Sequence, residues 1–465
     1  MLVSLTRVGP TRQSLAKAVA VTGVDALQLL RRPQLPPAPP SLPIVELVPD
    51  ERTPELLHVR LPGVWLGTPG AREAGFGYLG AVLAALSGAA RTMGGLLHPP
   101  GVQVNAKAAK AAKAAGAEAP QPALGGDVHG LHTLDAAEQE VLANLLRRHS
   151  PTLIALTGRV RVGGPADLVG SRRLADSREH LAARYLASAD PRHLRHVRAD
   201  IRRRYGIADL SRMDIAPAAG PAGDGEVLVR CVDAQVSLAD LRAQALLFAA
   251  LALKARRMVR NGEREFDVPQ HVIEANRARA VVQGLRAQFV PEMSKARTPR
   301  PLAAREAARR LLGGLAAELS LLDATAEELL PLLAPVELPA LGLPALRTQD
   351  LLLRAARQGI PALAQQAERE LYDPRPGGGL LAHLAQEAPG RVELLLGEWR
   401  RTLADGIAPA PRADRPQKPQ RPQRPGGDAR RERPQHGSRR NPQRNTPRDD
   451  PRDTPRKPGR RDTHE

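Results

Sequence analysis

Aromatic residues are scarce in this 465-residue chain, at 2% of the sequence, whereas 42% of the residues are apolar. A hydrophobic core must therefore be built mainly from Leu, Val and Ala. Cysteine is nearly absent as well, because Cys231 stands alone. A single thiol excludes an intramolecular disulfide and a cysteine-based zinc site. It also fits a reducing, cytoplasmic compartment.

Long apolar runs are missing too. Lys17 interrupts the most apolar part of the N-terminal region, so we predict no signal peptide. The stretch from Leu241 to Leu253 is the longest apolar run, and it falls short of the roughly 18 residues that a membrane span needs. Neither the phosphate-binding pattern GxxxxGK[ST] nor the metal-binding pattern HExxH occurs in the sequence. We expect a cytoplasmic protein without membrane contact.

Positive charge is abundant, with a net charge of +19, and it is concentrated at the C-terminus. Residues 408–465 contain 17 Lys and Arg against 8 Asp and Glu, and they contain no aromatic residue. Pro, Arg and Gln without apolar residues predict a disordered basic tail. Many Arg side chains favour weak, salt-sensitive contact with RNA or another polyanion, although base stacking is excluded.

The rest of the chain divides by composition. Residues 1–41 predict a short helix over Gln13–Leu30 followed by a Pro-rich linker, and residues 42–335 form the main domain. An Ala- and Lys-rich insertion covers 105–124, and a helical region covers 336–407. In the main domain, short strands alternate with amphipathic helices. Ser237 and Asp240 predict a capping box at the start of a helix from Leu238 to Val259, and Pro151 introduces an apolar segment interpreted as a strand.

Eight polar residues stand on or beside these predicted strands and helices. Each alone is typical of an ordinary solvated or structural position, and only their order along the chain is informative. They are Glu46, His98, Asp127, His129, Arg230, Asp233, Asn276 and Arg277.

Five sequence stretches resemble, in order, motifs of the carboxylate–amine ligases of the glutamine-synthetase superfamily. The branch most similar is the bacterial glutamate–cysteine ligase type 2 family. The stretches are PIVELV with Glu46, LLHPP with His98, GGDVHGLHT with Asp127 and His129, LVRCVDAQ with Arg230 and Asp233, and EANRARAVVQGL with Asn276 and Arg277. The resemblance covers roughly residues 42–335.

The resemblance implies an α+β fold, in which a curved antiparallel sheet of about six strands has helices on its outer face. It also implies ATP and Mg²⁺, small-molecule carboxylate and amine substrates, and amide formation through an acyl phosphate. Carboxylate oxygens suit Mg²⁺, so Glu46, Asp127, His129 and Glu226 become the expected metal ligands. Arg230 becomes the catalytic phosphate-binding residue. The expected substrate or nucleotide contacts are Asp233, Asn276, Arg277 and His98.

The sequence also departs from the family pattern. Leu228 stands where a Glu is expected two residues before the strand arginine, and Glu226 lies two residues earlier still. Two further functions therefore stay open. One is a non-catalytic relative that binds a ligand or a partner protein, and the other is a nucleic-acid-associated protein that acts through its tail. The oligomeric state is not predicted.

Overall fold

The protein is described by a computed structural model. It covers residues 11–31, 34–50, 53–101, 123–158, 170–176, 181–188, 190–206, 213–219, 225–292, 300–341 and 344–407. The basic tail lies outside these described residues, as does the Ala- and Lys-rich insertion except for its last two positions.

An antiparallel sheet organises the described part of the chain. Its strands are β1 (Arg12–Thr22), β2 (Glu46–Pro49), β3 (Leu56–Trp65), β4 (Leu96–His98), β5 (Val128–Thr133), β6 (Ile215–Ala219) and β7 (Gly225–Val229). Six follow the order β2-β3-β1-β5-β7-β6, and β4 pairs with the end of β1. The predicted α+β class with about six antiparallel strands is confirmed. The predicted curvature is wrong, because the sheet is not strongly curved.

The first strand corrects the prediction of a helix over Gln13–Leu30. Only Ala26–Leu30 is helical (α1), and β1 lies in the middle of the sheet between β3 and β5. Alanine favours a helix in isolation, but pairing on both edges outweighs that intrinsic preference. The alternating branched residues of the segment AVAVT were the signal for a strand.

Three long helices cover one side of the sheet: α2 (Pro69–Thr92), α3 (Ala136–Thr157) and α6 (Leu238–Arg260). The predicted capping box of α6 is confirmed, since the side chains of Ser237 and Asp240 each bind the other's backbone. The strand predicted after Pro151 is wrong, because α3 continues through it. Pro151 lacks an N–H, and the Ser150 hydroxyl donates instead to the Arg147 carbonyl, at 2.9 Å.

The remaining described residues are mainly helical, and they include the C-terminal region that was predicted to be helical. They are α4 (Arg172–Asp176), α5 (Pro191–Tyr205), α7 (Gln270–Gln283), α8 (Ala304–Gly313), α9 (Ala316–Leu321), α10 (Ala326–Glu337), α11 (Pro344–Gln358), α12 (Pro361–Leu371), α13 (Gly378–Glu387) and α14 (Pro389–Ile407). Two short strands, β8 (Gln288–Phe289) and β9 (Leu302–Ala303), pair with each other.

A buried ionic network joins the helical layers. Arg72 of α2 donates from Nε and Nη2 to the two carboxylate oxygens of Glu328 in α10, each at 2.9 Å. Arg242 of α6 donates to the same carboxylate from Nε at 2.8 Å. Arg72 also donates to the carbonyls of Leu66 and Leu322, at 3.0 and 2.7 Å. All three charged side chains are almost fully buried, so the network ties the helices nearest the sheet to the C-terminal helices.

Helix α2 is long and apolar enough to cross a membrane by length and composition, which the sequence interpretation missed. However, 56% of its most apolar window is buried inside the protein. Its glycines and leucines pack against the sheet and neighbouring helices, which is how a core helix behaves.

Candidate functional site

Strand alternation divides the sheet side chains between two faces. The packed face carries Leu15, Val59, Leu131 and Val227 and meets the long helices. The opposite face is here called the polar face. It carries Ser14 and Ala16 of β1, His58 and Arg60 of β3, Gly130 and His132 of β5, and Glu226 and Leu228 of β7, as the strand register requires.

The middle of the polar face is shallow because its residues are small. Ser14 pairs with Gly130, and Ala16 follows one step along β1. Polar side chains with hydrogen-bonding or charged ends surround this depression. Ser14, Gly130 and Glu226 are themselves buried in this region.

Glu226 defines one end of the depression. Its Oε1 is buried and has no hydrogen-bond partner among the described residues. The carboxylate lies over Gly130, so that a Cβ added there would overlap it. His132 places Nε2 at 3.8 Å from Glu226 Oε1 and at 3.2 Å from the Ser14 hydroxyl. A carboxylate, an imidazole and a hydroxyl thus meet above a glycine.

Arg230 defines the other end. Its backbone N–H donates to the Asp214 carbonyl at 2.8 Å, which extends the β6–β7 ladder by one residue. The alternation of β7 then places Arg230 on the polar face with Glu226, roughly 13 Å away along the strand. The side chain is half-buried. The two ends of the depression therefore carry opposite charges, a guanidinium and a carboxylate.

Glu46 lies on the same face but at the edge of the sheet. Its carboxylate is 53% exposed and accepts a hydrogen bond from Arg60 at 3.3 Å. Four strand-to-strand steps separate β2 from β7, roughly 19 Å across the sheet, and the register places Glu46 and Glu226 a further four residues, roughly 13 Å, apart along the strands. The structure does not bring these two predicted metal ligands together.

Asp127 and His129 lie on the packed side of the sheet, away from the depression. Asp127 is fully buried and accepts from the backbone N–H groups of Ala18 and Gln235, at 2.9 and 2.7 Å, and from Lys17 Nζ at 3.3 Å. Burial raises its pKa, and the Lys17 charge opposes that shift. Asp127 therefore joins the loop before α6 to β1, which is a structural role.

His129 is buried against α6. Its Nε2 lies 3.3 Å from the Gln244 side chain, and its ring centroid lies 4.6 Å from that of Phe248. Burial lowers its pKa to about 3, so the ring is neutral near pH 7. Residues 130 and 132 of β5 therefore face the depression, whereas the predicted pair at 127 and 129 does not.

Three predicted ligand contacts hold the scaffold together instead. Asp233 accepts from the Ser171 hydroxyl at 2.6 Å and from Arg173 Nε at 3.3 Å. Arg277 donates to both carboxylate oxygens of Asp214, at 2.5 and 3.0 Å. Asn276 binds the N–H and the carbonyl of Val290, at 2.6 and 2.9 Å. Their side chains are occupied by these partners, away from the depression.

His98 closes β4 against β1. Its Nε2 lies 3.0 Å from the Thr22 hydroxyl and its Nδ1 lies 2.8 Å from the Pro99 carbonyl. Burial lowers its pKa to about 4, which keeps it neutral near pH 7. Within the part of the chain that the structure describes, no three His, Cys, Asp or Glu side chains converge as a ready-made metal site.

Sequence reasoning missed Ser14 and His132. Ser14 was hidden because its segment was interpreted as a helix, and His132 was interpreted as a surface residue. The signal for His132 was its spacing, because positions 130 and 132 of β5 share a face with 226 and 228 of β7.

No family model matches the sequence, and no curated protein sequence does. Among solved structures, a complex of the prokaryotic ubiquitin-like protein Pup with its ligase PafA is 12% identical, with a TM-score of 0.38, covering 85% of this chain and 82% of that one. A bifunctional glutathione synthetase from Pasteurella multocida is 9% identical, with a TM-score of 0.40, covering 85% of this chain and 53% of that one. A novel glutamine synthase homolog is 15% identical, with a TM-score of 0.34, covering 77% and 73%.

Proposed function

We propose that this chain is an ATP-dependent carboxylate–amine ligase of the glutamate–cysteine ligase type, with its site in the depression on the polar face. The observation that carries the proposal is the buried Glu226 carboxylate beside His132, with Arg230 at the far end of the same strand. The family motifs in the sequence led to the same strand, although they suggested a different set of ligands.

The residues present fit magnesium and ATP, but they offer fewer carboxylate ligands than the family pattern implies. Mg²⁺ is commonly held by one or two carboxylates together with phosphate oxygens and water. Glu226 supplies one such carboxylate, and its Oε1 has no hydrogen-bond partner among the described residues. When bound, the metal would neutralise phosphate charge. The protein's own contribution is to leave room for the carboxylate over Gly130, with His132 beside it at 3.8 Å, and to bind phosphate through Arg230.

In a ligase of this kind, the substrate carboxylate takes the terminal phosphoryl group of ATP and ADP leaves. The amine then displaces phosphate and loses a proton, which forms the amide. Arg230 is the expected partner of the transferring phosphoryl group, because its guanidinium presents several donors to phosphate oxygens. Ser14 and His132 are placed to contact the substrate groups that enter between the two ends.

A second candidate is a non-catalytic relative that binds the nucleotide or a similar ligand without turnover. Two observations favour it: the Glu46 carboxylate is paired with Arg60 far from Glu226, and Leu228 occupies the position of an expected Glu. A site with one carboxylate binds magnesium more weakly than a site with two.

Binding is tested first by thermal unfolding of the full chain with millimolar ATP, in excess Mg²⁺ or in EDTA. A ligand at 100 times its Kd adds about 2.7 kcal/mol to the stability of the native state. We expect a Mg²⁺-dependent rise in the midpoint that is lost in Glu226→Gln and in Arg230→Gln. Glu46→Gln is the matched control, and it should keep the rise.

ADP release with glutamate and a panel of amines then separates the two candidates. Release that depends on the amine supports the ligase, whereas nucleotide binding without ADP supports the non-catalytic relative. The absence of any Mg²⁺-dependent rise in the wild-type chain contradicts both.

Gly130→Ala should remove nucleotide binding at a small cost in stability. The added methyl group would overlap Glu226 Oε1 and would lie 3.2 Å from the Ser14 Cβ, so the carboxylate must swing away. Because the displaced atoms end a flexible side chain, we expect a loss of about 1 kcal/mol in the free energy of unfolding. Urea unfolding measures that loss, and the ATP-induced midpoint shift measures binding. An unchanged shift would show that the Glu226 position is not required.

A further inference from the structure

A second cavity lies in the helical part of the protein, and its lining includes no residue of the large sheet. It has a volume of about 750 Å³, is open to solvent on one side, and is bordered by α3, the C-terminal half of α6, α7, α8 and the β8–β9 pair. This volume lies within the range typical of small-molecule sites. Its apolar wall includes Ile273, Phe289 and Leu311, and Phe266 stands at the wall with 42% of its surface exposed.

The charged residues of the cavity are mostly cations. Arg148 is neutralised, since it binds Glu265 at 2.7 Å and Glu292 at 2.8 Å. Arg310 is neutralised by Glu306, also at 2.8 Å.

Lys254 and Arg300 also line the cavity, and neither has an ion-pair or hydrogen-bond partner among the described residues. Lys254 is half-buried, whereas Arg300 is exposed. Two uncompensated cations therefore face an apolar wall.

His149 also lines the cavity and adds no positive charge to it near pH 7. Burial, as the largest cause, and then the positive charges of Arg148 and Lys254 lower its pKa to about 3, so the ring is neutral. Lys254 and Arg300 are therefore the cavity cations that lack a partner among the described residues.

We propose that this cavity binds a small organic anion with an aromatic or apolar body, whose carboxylate or phosphate pairs with Lys254 and Arg300. The apolar wall buries the body of the ligand, and Phe266 covers its exposed edge. The site is separate from the depression on the polar face and does not depend on the ligase proposal. The expected ligand is an amphipathic acid, and its acidic group is either a carboxylate or a phosphate.

The test uses calorimetric titration of the full chain with benzoate and with phenyl phosphate. Benzyl alcohol serves as the uncharged analogue, and inorganic phosphate serves as the anion without an apolar body. We expect at least one of the two aromatic acids to bind about tenfold more tightly than benzyl alcohol, because a charge-assisted hydrogen bond is gained. The stronger of the two identifies the acidic group that the site prefers.

Lys254→Gln and Arg300→Gln should each weaken the preferred acid about tenfold. Phe266→Ser should weaken that acid while leaving inorganic phosphate unchanged. The matched control is Arg309→Gln, because Arg309 stands on α8 beside Arg310, is paired with Glu337 at 2.8 Å and does not line the cavity.

Two results would overturn the proposal. One is the absence of binding by both acids at millimolar concentration. The other is binding that Lys254→Gln and Arg300→Gln leave unchanged while their melting midpoints match the wild type.

Discussion

Glu328→Gln is expected to lower the free energy of unfolding by about 3–5 kcal/mol. Glutamine has the shape of the original side chain but no charge, so Arg72 and Arg242 would remain as buried cations without a counterion. The amide also presents N–H groups where both guanidinium groups need an acceptor. Urea unfolding monitored by circular dichroism measures the loss.

The difference between Glu328→Gln and wild type should depend on pH. Burial by itself would raise the pKa of Glu328, but the hydrogen bond and charge of Arg72 and the charge of Arg242 hold it below its usual value. Its contribution to stability is therefore fully present above the unfolded pKa of about 4.3 and is lost as pH falls through the folded pKa. The two proteins should converge in strong acid.

Glu327→Gln provides the neighbouring control. Glu327 pairs with Arg400 at 2.6 Å, but half of the Arg400 side chain is exposed, so this pair contributes about 1 kcal/mol or less. Equal losses for the two variants would mean that the buried network does not stabilise the fold as its geometry indicates.

Lys17→Met is expected to destabilise the protein by a similar amount, about 3–5 kcal/mol near pH 7. The Lys17 side chain is 1% exposed and that of Asp127 is 0% exposed, and Met fills the space of the lysine stem without its charge. Asp127 would then remain as a buried carboxylate with only the Ala18 and Gln235 N–H groups as partners. Chemical unfolding at several pH values measures the effect.

The loss in Lys17→Met should shrink in acid. Burial already raises the pKa of Asp127, and removal of the Lys17 charge raises it further. A carboxyl group with a raised folded pKa stabilises the fold when protonated and loses that stability as pH rises through its folded pKa. We therefore expect the deficit to be small near the unfolded pKa of about 3.9 and large at neutral pH.

The double variant Lys17→Met/Asp127→Asn removes both charges of this pair and should recover part of the single-variant loss, because the Asn side chain can accept from only one of the two backbone N–H groups. A double variant as unstable as Lys17→Met would mean that the hydrogen bonds of Asp127, rather than its charge, dominate. In that case the deficit would also be independent of pH.

Local signals in the sequence were sufficient for the elements that depend on neighbouring residues. The Ser237 and Asp240 pair marked the start of α6 because a capping box is complete within four residues. The strand at β1 depended on other parts of the fold, whereas the helix through Pro151 depends on a local hydrogen bond that the sequence interpretation did not anticipate. Ser150 compensates for the missing N–H of Pro151, and β3 and β5 together hold an alanine-rich segment extended.

The candidate site was predicted only in part, and strand geometry explains why. Glu226 and Arg230 were predicted as site residues, and they lie on β7 and directly after it, next to the candidate site. Asp127 and His129 were predicted on or beside the neighbouring strand β5. Their side chains lie on the packed side of the sheet, because a shift of one residue moves a side chain to the other face. The distance of Glu46 from Glu226 depends on the strand order, which places three strands between β2 and β7.

The position of β1 in the sheet also sets the order in which the chain can fold during synthesis. β1 is made before β2 to β7, yet its partner β5 begins only at Val128, and Lys17 and Asp127 are 110 residues apart in sequence. Arg72 and its partner Glu328 are 256 residues apart in sequence. Contacts this distant in sequence make folding slow. Until α10 is made, a nascent chain lacks the Glu328 carboxylate that Arg72 and Arg242 bind, so the helical layers cannot pack as they do in the complete fold.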